Sequence, residues 1–319
     1  MRSERMQRWR QRWWQDPQGA LEEWETLIRT PLAQNQIGAM WRLLEWWADL
    51  PLDEETRQRI GDELWGKMHT TLGGVKLKTA ELLGIPAFLE AIEHFEAVLT
   101  AFTEDKFPEQ WADAHSFLGI AYANLPIGDR HQNAQKAVEH FTAALRVYNE
   151  TEFPDHWAST FSNLATTFFN MPDGDKTQNL LRALDCFQLA LKVWTKTAFP
   201  ASWARTMNNI GSIYAALPTG DRRENLQKAV AHFEEGLTVF TFEEYPEEWT
   251  RTQYTLGQIY SDLADETGEL EPLRRARECY ADAWQGYKAM GREHDAMHAG
   301  LHVLRTHALI ERAEAEAEE

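Results

Sequence analysis

The stretch that decides the fold is residues 199–217, FPASWARTMNNIGSIYAAL, because its opening motif returns along the chain at a constant interval. An aromatic residue, a proline and, three residues later, a tryptophan begin at positions 107, 153, 199 and 245, always 46 residues apart. Self-similarity at a fixed period of this length is the signature of a repeat protein, in which each unit contacts only its neighbours. The sequence therefore predicts a stack of copies of one structural unit.

Each copy contains two stretches of helical periodicity. In the first, Trp203, Ile210 and Tyr214 fall on one face of a helix, and the proline of Phe-Pro sits in the first turn, where its missing N–H costs nothing. The second helix carries an apolar stripe of its own, and a segment containing proline and Gly-Asp separates the two. An asparagine follows each separating segment, and we expect it to cap the second helix; these residues are Asn133, Asn179 and Asn225.

Glycine stands inside the first helix in three copies, at Gly119, Gly211 and Gly257. Glycine in a helix interior costs about 1 kcal/mol relative to alanine, so a compensating interaction is required. We expect the paired helix to approach closely there, with Phe141 or its equivalent covering the glycine.

The predicted fold class is all-α, a right-handed α-solenoid of helix hairpins. The repeat predicts an N-terminal tryptophan-rich helical cap, one degenerate unit, four clear units and a C-terminal capping helix with an acidic tail, at 1–60, 61–106, 107–290 (107–152, 153–198, 199–244 and 245–290) and 291–319. Seven tryptophans precede residue 50. The sequence leaves open whether this segment covers the end of the array or presents an apolar patch to another chain.

The pattern Leu-Gly-x-x-Tyr followed by Ala-x-x-x-Phe-x-x-Ala-Leu resembles the tetratricopeptide repeat, with a unit longer than the ordinary 34 residues. The longer consensus, Phe-Pro-x-x-Trp-Ala through Gly-Asp-Arg to Ala-Leu-x-Val, resembles the tetratricopeptide arrays that commonly precede CHAT caspase-like peptidase domains in bacterial proteins. The resemblance covers 107–290 strongly and 61–106 weakly. It implies an α-solenoid that binds other proteins.

The composition argues against several partners and locations. Among 319 residues, 32 are Lys or Arg and 50 are Asp or Glu, a formal net charge of −18, which argues against binding nucleic acid or an anionic membrane. No apolar run is long enough to span a bilayer, and the N-terminus lacks the apolar core of a signal peptide. We expect a cytoplasmic protein. Its two cysteines, Cys186 and Cys279, lie in packing positions and are expected to be inert.

No catalytic motif is present in the sequence. The chain has no phosphate-binding or dinucleotide-binding glycine motif, and no strand pattern follows residue 290 to carry a caspase-like His and Cys. His294, His298 and His302 lie at i, i+4 and i+8 of the last predicted helix. Three histidines along a straight face span about 12 Å, so a capping helix explains them better than a zinc site. We expect no enzyme activity and no cofactor.

The remaining candidate is the face of the first helices opposite the buried stripe. Asparagine offers a donor and an acceptor to an extended peptide backbone, and arginine offers a fork for a carboxylate. In the family that the sequence resembles, an asparagine at the place of Asn163 and Asn209 often holds a peptide backbone, and a basic residue at the place of Arg205 can hold a carboxylate. The predicted binding residues are Arg205, Asn209, Arg251, Asn163, Asn208, Tyr254, Ser212 and Gln258. Asp113 and Phe117 depart from this pattern.

Three functions follow from the sequence. The first is a non-catalytic scaffold that binds a peptide or partner domain, with two arginines favouring an acidic motif or a free C-terminus. The second, from the resemblance, is a regulatory or inhibitory subunit of a separately encoded peptidase or defence effector of the CHAT type. The third is a metal-dependent enzyme, which only the row of histidines favours.

Overall fold

The computed structural model describes residues 2–34, 36–44, 46–47 and 52–318. All regular secondary structure in these ranges is helical. The helices are α1 Arg2–Trp13, α2 Pro17–Ala33, α3 Ile37–Leu44, α4 Glu54–Ile60, α5 Asp62–Leu83, α6 Ile85–Ala101, α7 Pro108–Asn124, α8 Arg130–Ala144, α9 Pro154–Phe169, α10 Lys176–Val193, α11 Pro200–Ala216, α12 Arg222–Leu237, α13 Pro246–Thr267, α14 Leu270–Ala289 and α15 Glu293–Glu318.

The chain forms two compact units, Met1–Asn163 and Leu164–Glu319. In the first, each of α5, α6 and α7 packs against the helix that follows it. In the second, the same sequential packing runs from α10 to α15. Packing of each helix against its neighbours in the chain is the arrangement of an α-solenoid, so the predicted all-α repeat fold is confirmed.

The aromatic-proline motif begins the first helix of every clear copy, as the sequence predicts. Four helices start at prolines 46 residues apart, which are Pro108, Pro154, Pro200 and Pro246. The second helix follows after a short loop in three copies. In the last copy α13 continues to Thr267, since no proline interrupts it.

The prediction that asparagines cap the second helices is wrong. The caps are aspartates, and Asp221 accepts a hydrogen bond from the backbone N–H of Glu224 at 2.9 Å. Asn225 lies one turn inside α12, buried, and its Nδ2 donates to the carbonyl of Thr219 at 2.8 Å. Asp129 and Asp175 cap α8 and α10 in the same way. The asparagine therefore holds the preceding loop against the helix, and the recurring Gly-Asp is a structural turn.

The interior glycines are covered by aromatic rings, as expected. A Cβ built on Gly119 would lie 2.6 Å from Cε1 of Phe141, and one on Gly211 would lie 2.7 Å from the ring of Phe233. In the last copy, Tyr280 replaces the phenylalanine, at 2.9 Å from a Cβ on Gly257. Only glycine permits this approach without displacement of the second helix.

Tryptophans form the core of the N-terminal part of the first unit. The ring of Trp47 lies 5.0 Å from those of Trp9 and Trp13 and 5.6 Å from that of Trp24, in edge-to-face contacts. Trp9 and Trp24 also donate from Nε1 to the carbonyls of Ala20 and Leu43. The same buried cluster continues into α5 and α6. These indoles therefore pack against the hairpin formed by α5 and α6. Trp14, with 40% of its surface exposed, lies outside this core.

No described helix has both the length and the apolar character that a membrane span requires.

Candidate functional site

The first helices of the second unit present a polar surface of exposed and half-buried side chains. We call it the α11–α13 surface and define it by Arg205, Asn209, Ser212, Arg251, Thr255, Gln258 and Asp262. The opposite faces of the two helices are buried, at Ile210 and Ile213 of α11 and at Leu256 and Ile259 of α13. Both arginines therefore lie outside the packed interior, on the helix faces that the sequence periodicity predicts to be exposed.

The two helices touch directly at the N-terminal end of this surface. Nη2 of Arg205 lies 3.5 Å from Oε1 of Glu248 on α13, and 57% of the arginine side chain is exposed. Such an exposed ion pair contributes only about 0.2–1 kcal/mol. A carboxylate of a partner can therefore compete with Glu248 for the guanidinium.

Arg251 occupies the position of Arg205 one repeat later. Its side chain is exposed and makes no ion pair with the described residues. A guanidinium binds carboxylates through two parallel N–H groups, so this arginine offers a bidentate site on a strongly acidic chain.

The polar residues between the arginines differ in availability. Asn209 is half-buried, and its amide forms no hydrogen bond among the described residues. Gln258 is exposed. The hydroxyl of Ser212 donates to the carbonyl of Asn208 at 3.0 Å, within α11 itself. Asn209 and Gln258 are therefore the amides best placed to meet a peptide backbone.

The structure places Asn208 and Tyr254 in packing contacts rather than on this surface. Nδ2 of Asn208 donates to the hydroxyl of Thr252 at 2.7 Å, which ties α11 to α13. Its Oδ1 is buried against Gly236 and has no hydrogen-bond donor among the described residues. The ring of Tyr254 contacts the rings of Tyr280, Tyr287 and His302, with centroids 5.6, 6.3 and 5.7 Å away. Both side chains position helices.

Asn163 lies on α9 at the end of the first unit and is half-buried. The candidate site is therefore confined to the residues of the second unit.

An ion pair borders the far end of the α11–α13 surface. Nη2 of Arg222, at the start of α12, lies 3.1 Å from Oδ2 of Asp262. The same guanidinium donates to the carbonyl of Ala215. Neither Arg222 nor Glu248 is among the residues predicted for the site, although Glu248 follows Arg205 by 43 residues, three fewer than the repeat length. Side chains that pair across adjacent first helices can therefore be sought 43 residues apart in the sequence.

The corresponding positions in the first unit are occupied differently. The hydroxyl of Tyr148 donates to Oδ1 of Asp113 at 2.5 Å. Phe117 stacks on Phe95, with centroids 5.0 Å apart, and lines a cleft of about 680 Å³ together with Ile120 and Phe88. The first unit thus has a carboxylate at the position of Arg205 and an aromatic ring at the position of Asn209.

Two pairs of histidines recur at the repeat spacing inside the first unit. The Nδ1 atoms of His69 and His94 lie 3.0 Å apart, and those of His115 and His140 lie 2.9 Å apart. Burial lowers the pKa of His69 to about 3 and that of His94 to about 4. Each pair is therefore neutral, with one Nδ1 donating and the other accepting, and it joins the two helices of a hairpin.

The two cysteines and three of the histidines of α15 have side chains that can react or bind a metal. Burial raises the pKa of the Cys186 thiol to about 11 and that of Cys279 to about 12, so neither is a thiolate at neutral pH. His302 stacks on Tyr280 at 4.7 Å, whereas His294 and His298 are exposed and contact each other. These three histidines do not converge on one point, and the described residues contain no group of three His, Cys, Asp or Glu arranged for a metal.

Among solved structures, the chain is similar to BtubC (BKLC) from P. vanneervenii, a helical repeat protein. The two share 19% sequence identity with a TM-score of 0.57, over 81% of this chain and 92% of that chain. At this identity the similarity concerns the fold alone. No family model matches the sequence, and none of the curated proteins compared with it matches.

Proposed function

We propose that this protein is a non-catalytic scaffold of extended tetratricopeptide-like units that binds an acidic peptide segment or a free C-terminus on the α11–α13 surface. The observation that carries the proposal is the pair of exposed arginines, Arg205 and Arg251, at equivalent positions of adjacent first helices. Asn209 and Gln258 supply amides beside them for the backbone of an extended segment.

The electrostatics of the chain support a local anion site. Because the net charge is −18, an acidic partner is repelled by most of the protein surface and attracted only where cations stand together. The ion pair of Arg205 with Glu248, at 3.5 Å, supports carboxylate binding at this guanidinium. A partner carboxylate replaces it, and a second one reaches Arg251.

Charge reversal of the two arginines tests the proposal. The probes are pooled acidic decapeptides, each prepared with a free and with an amidated C-terminus, and binding is measured by calorimetry. Loss of two charge-assisted contacts should weaken binding by at least about 30-fold in Arg205→Glu/Arg251→Glu. Free acids that bind better than amides identify a C-terminal carboxylate as the ligand.

A matched control separates the site from the net charge. Arg223→Glu/Arg274→Glu changes the charge by the same amount at two exposed, ion-paired arginines on the second helices α12 and α14. The control should retain wild-type affinity at moderate salt. Equal affinity of wild type and Arg205→Glu/Arg251→Glu, or equal losses in both double variants, rejects the α11–α13 surface as the binding site.

A second candidate function is regulation or inhibition of a separately encoded peptidase or defence effector of the CHAT type. The sequence resemblance carries it, through the Phe-Pro or Tyr-Pro motif that begins α7, α9, α11 and α13. On this hypothesis the acidic segment belongs to the enzyme. Co-expression with such an enzyme should give a stable complex and a change in its peptidase activity, and Arg205→Glu/Arg251→Glu should abolish both. An unchanged activity at saturating scaffold excludes this function.

A further inference from the structure

A pocket lies at the C-terminal end of α11, where the α11–α13 surface ends. Its volume is about 370 Å³, which is within the size range of ligand-binding pockets. Lys176, at the start of α10, and Arg222, at the start of α12, line it together with the last residues of α11 and the loop that follows. Ala216, one of these last residues, lies three turns after Arg205 on the same face of α11. The pocket therefore continues the α11–α13 surface, and two of its residues are cations.

The two cations of this pocket are equivalent residues of adjacent repeats, 46 residues apart, but they differ in their partners. Nη2 of Arg222 lies 3.1 Å from Oδ2 of Asp262 on the next first helix. The residue equivalent to Asp262 one repeat earlier is Ala216, and Lys176 makes no ion pair with the described residues. A carboxylate thus stands beside the cation in one copy, whereas the preceding copy has only a methyl group and open space at the same place.

The carboxylates next to these cations in the sequence are engaged elsewhere. Asp175 caps α10 and accepts a hydrogen bond from the backbone N–H of Gln178 at 3.1 Å, and Asp221 caps α12. Neither aspartate makes an ion pair with a lysine or arginine among the described residues. The ammonium group of Lys176 is exposed and is therefore available to a carboxylate from another molecule.

We propose that this pocket binds the second carboxylate of an extended, doubly acidic segment of a partner protein, whose first carboxylate is bound by Arg205 and Arg251. The inference rests on the proposed function and adds a spacing requirement to it. Ala216 follows Arg205 by 11 residues, which corresponds to about 16 Å along α11 at 1.5 Å per residue. An extended chain advances about 3.3 Å per residue, so the two acidic residues of the ligand stand about five positions apart.

The residues between the two cationic ends favour an extended ligand over a helical one. Asn209 lies one turn after Arg205, and Gln258 is exposed on α13 beside it. Their amides offer donors and acceptors to the unpaired backbone groups of an extended chain. A helix has already paired these groups within itself, and two acidic residues five positions apart on a helix span only about 7.5 Å. Such a helix cannot reach both ends of the surface.

A series of peptides with two glutamates at different separations tests the spacing. The probes are decapeptides of alanine, serine and glutamine with acetylated and amidated ends, so the two glutamates are their only charges. Calorimetry with the full chain should give the highest affinity at separations of four to six positions. At two positions the extended span is about 7 Å, so only one carboxylate is bound and the affinity should be at least about fivefold lower. A peptide with a single glutamate should bind as weakly as this one, within about twofold.

Two variants of the pocket test where the second carboxylate binds. Lys176→Glu should weaken binding of the five-position peptide about tenfold and remove the preference for that separation. Ala216→Asp supplies from within the chain the carboxylate that the next copy has at the equivalent place, so it should have the same effect with the lysine still present. Lys192→Glu, at an exposed lysine near the other end of α10, changes the net charge equally and should bind within about twofold of wild type. Thermal midpoints establish that all three variants fold.

The outcomes separate this inference from the proposed function. Affinity that is independent of the separation, with Lys176→Glu equal to Lys192→Glu, overturns the pocket as a second site, and the α11–α13 surface still stands if Arg205→Glu/Arg251→Glu weakens binding. If the two pocket variants weaken binding and the double arginine variant does not, the pocket binds an acidic group by itself, and both the two-ended ligand and the proposed function are overturned. Absence of binding by every peptide at millimolar concentration also overturns both.

Discussion

Replacement of Gly119 by alanine is the sharpest test of how the two helices of a unit pack. The new Cβ would lie 2.6 Å from Cε1 and 2.8 Å from Cζ of Phe141, and the phenylalanine is 0% exposed. The ring can move only by displacing its neighbours. Overpacking of this kind costs about 1–3 kcal/mol, and alanine returns about 1 kcal/mol of helix propensity. We expect a net loss of up to about 2 kcal/mol in the free energy of unfolding.

Gly74 provides the matched control in the same compact unit. It lies in the interior of α5, and a Cβ built on it has no heavy atom within 4 Å apart from the backbone of α5 itself and the two flanking residues. Alanine there should gain the helix propensity without a clash, so Gly74→Ala should stabilise the protein by about 0.5–1 kcal/mol. The two glycine substitutions should therefore have opposite signs.

Urea unfolding followed by circular dichroism and tryptophan fluorescence measures both variants. Phe141→Leu in the Gly119→Ala background should recover part of the loss, with a coupling energy of at least about 1 kcal/mol, because the smaller side chain removes the clash. A Gly119→Ala midpoint at or above that of wild type would refute the close-packing argument, as would strictly additive effects of the two substitutions.

Three further predictions concern caps, acid stability and the tryptophan core. Asp221→Ala should lower the stability of the second unit by about 1 kcal/mol through loss of the α12 cap, and Asn225→Ala by about 1–3 kcal/mol because a loop carbonyl loses its donor, both read as thermal midpoints. Because the pKa values of His69 and His94 are lowered to about 3 and about 4, the unfolded state binds protons first as the pH falls. Stability should be constant above about pH 7.5 and fall by at least about 1 kcal/mol between pH 7 and pH 5. His69→Gln/His94→Gln should make this fall smaller in urea titrations, and the lowered pKa values of His115 and His140 should account for part of the fall that is left. Trp47→Ala should cost about 3–5 kcal/mol and shift the tryptophan emission to the red; an unchanged spectrum would contradict the buried cluster.

Much of the fold follows from sequence because it depends on local signals at a fixed period. Proline at the start of each first helix and the apolar spacing within Trp203–Leu217 determine where α11 begins and which face it buries. The caps were predicted at the wrong residue because aspartate and asparagine are both good cap residues and stand four positions apart. Which of the two residues caps the helix depends on whether its side chain hydrogen-bonds to the helix or to the preceding loop. The side chain of Asn225 donates to a carbonyl of the loop.

The candidate site was only partly predictable for a related reason. The helical phase alone places Arg205 and Arg251 on the exposed side, because the phase of a helix is read from its own sequence and does not depend on other units. The roles of Asn208 and Tyr254 depend on the neighbouring helices, through Thr252 in one case and the rings of α14 and α15 in the other. A periodicity within one helix carries no information about those contacts.

Hydrogen exchange of the full chain, free and bound to an acidic decapeptide selected from the pool, tests the central claim most directly. A ligand on the α11–α13 surface should slow amide exchange in peptides from 200–216 and 246–267, with smaller changes elsewhere. Protection confined to other helices, with these two unchanged at saturating peptide, would contradict the account.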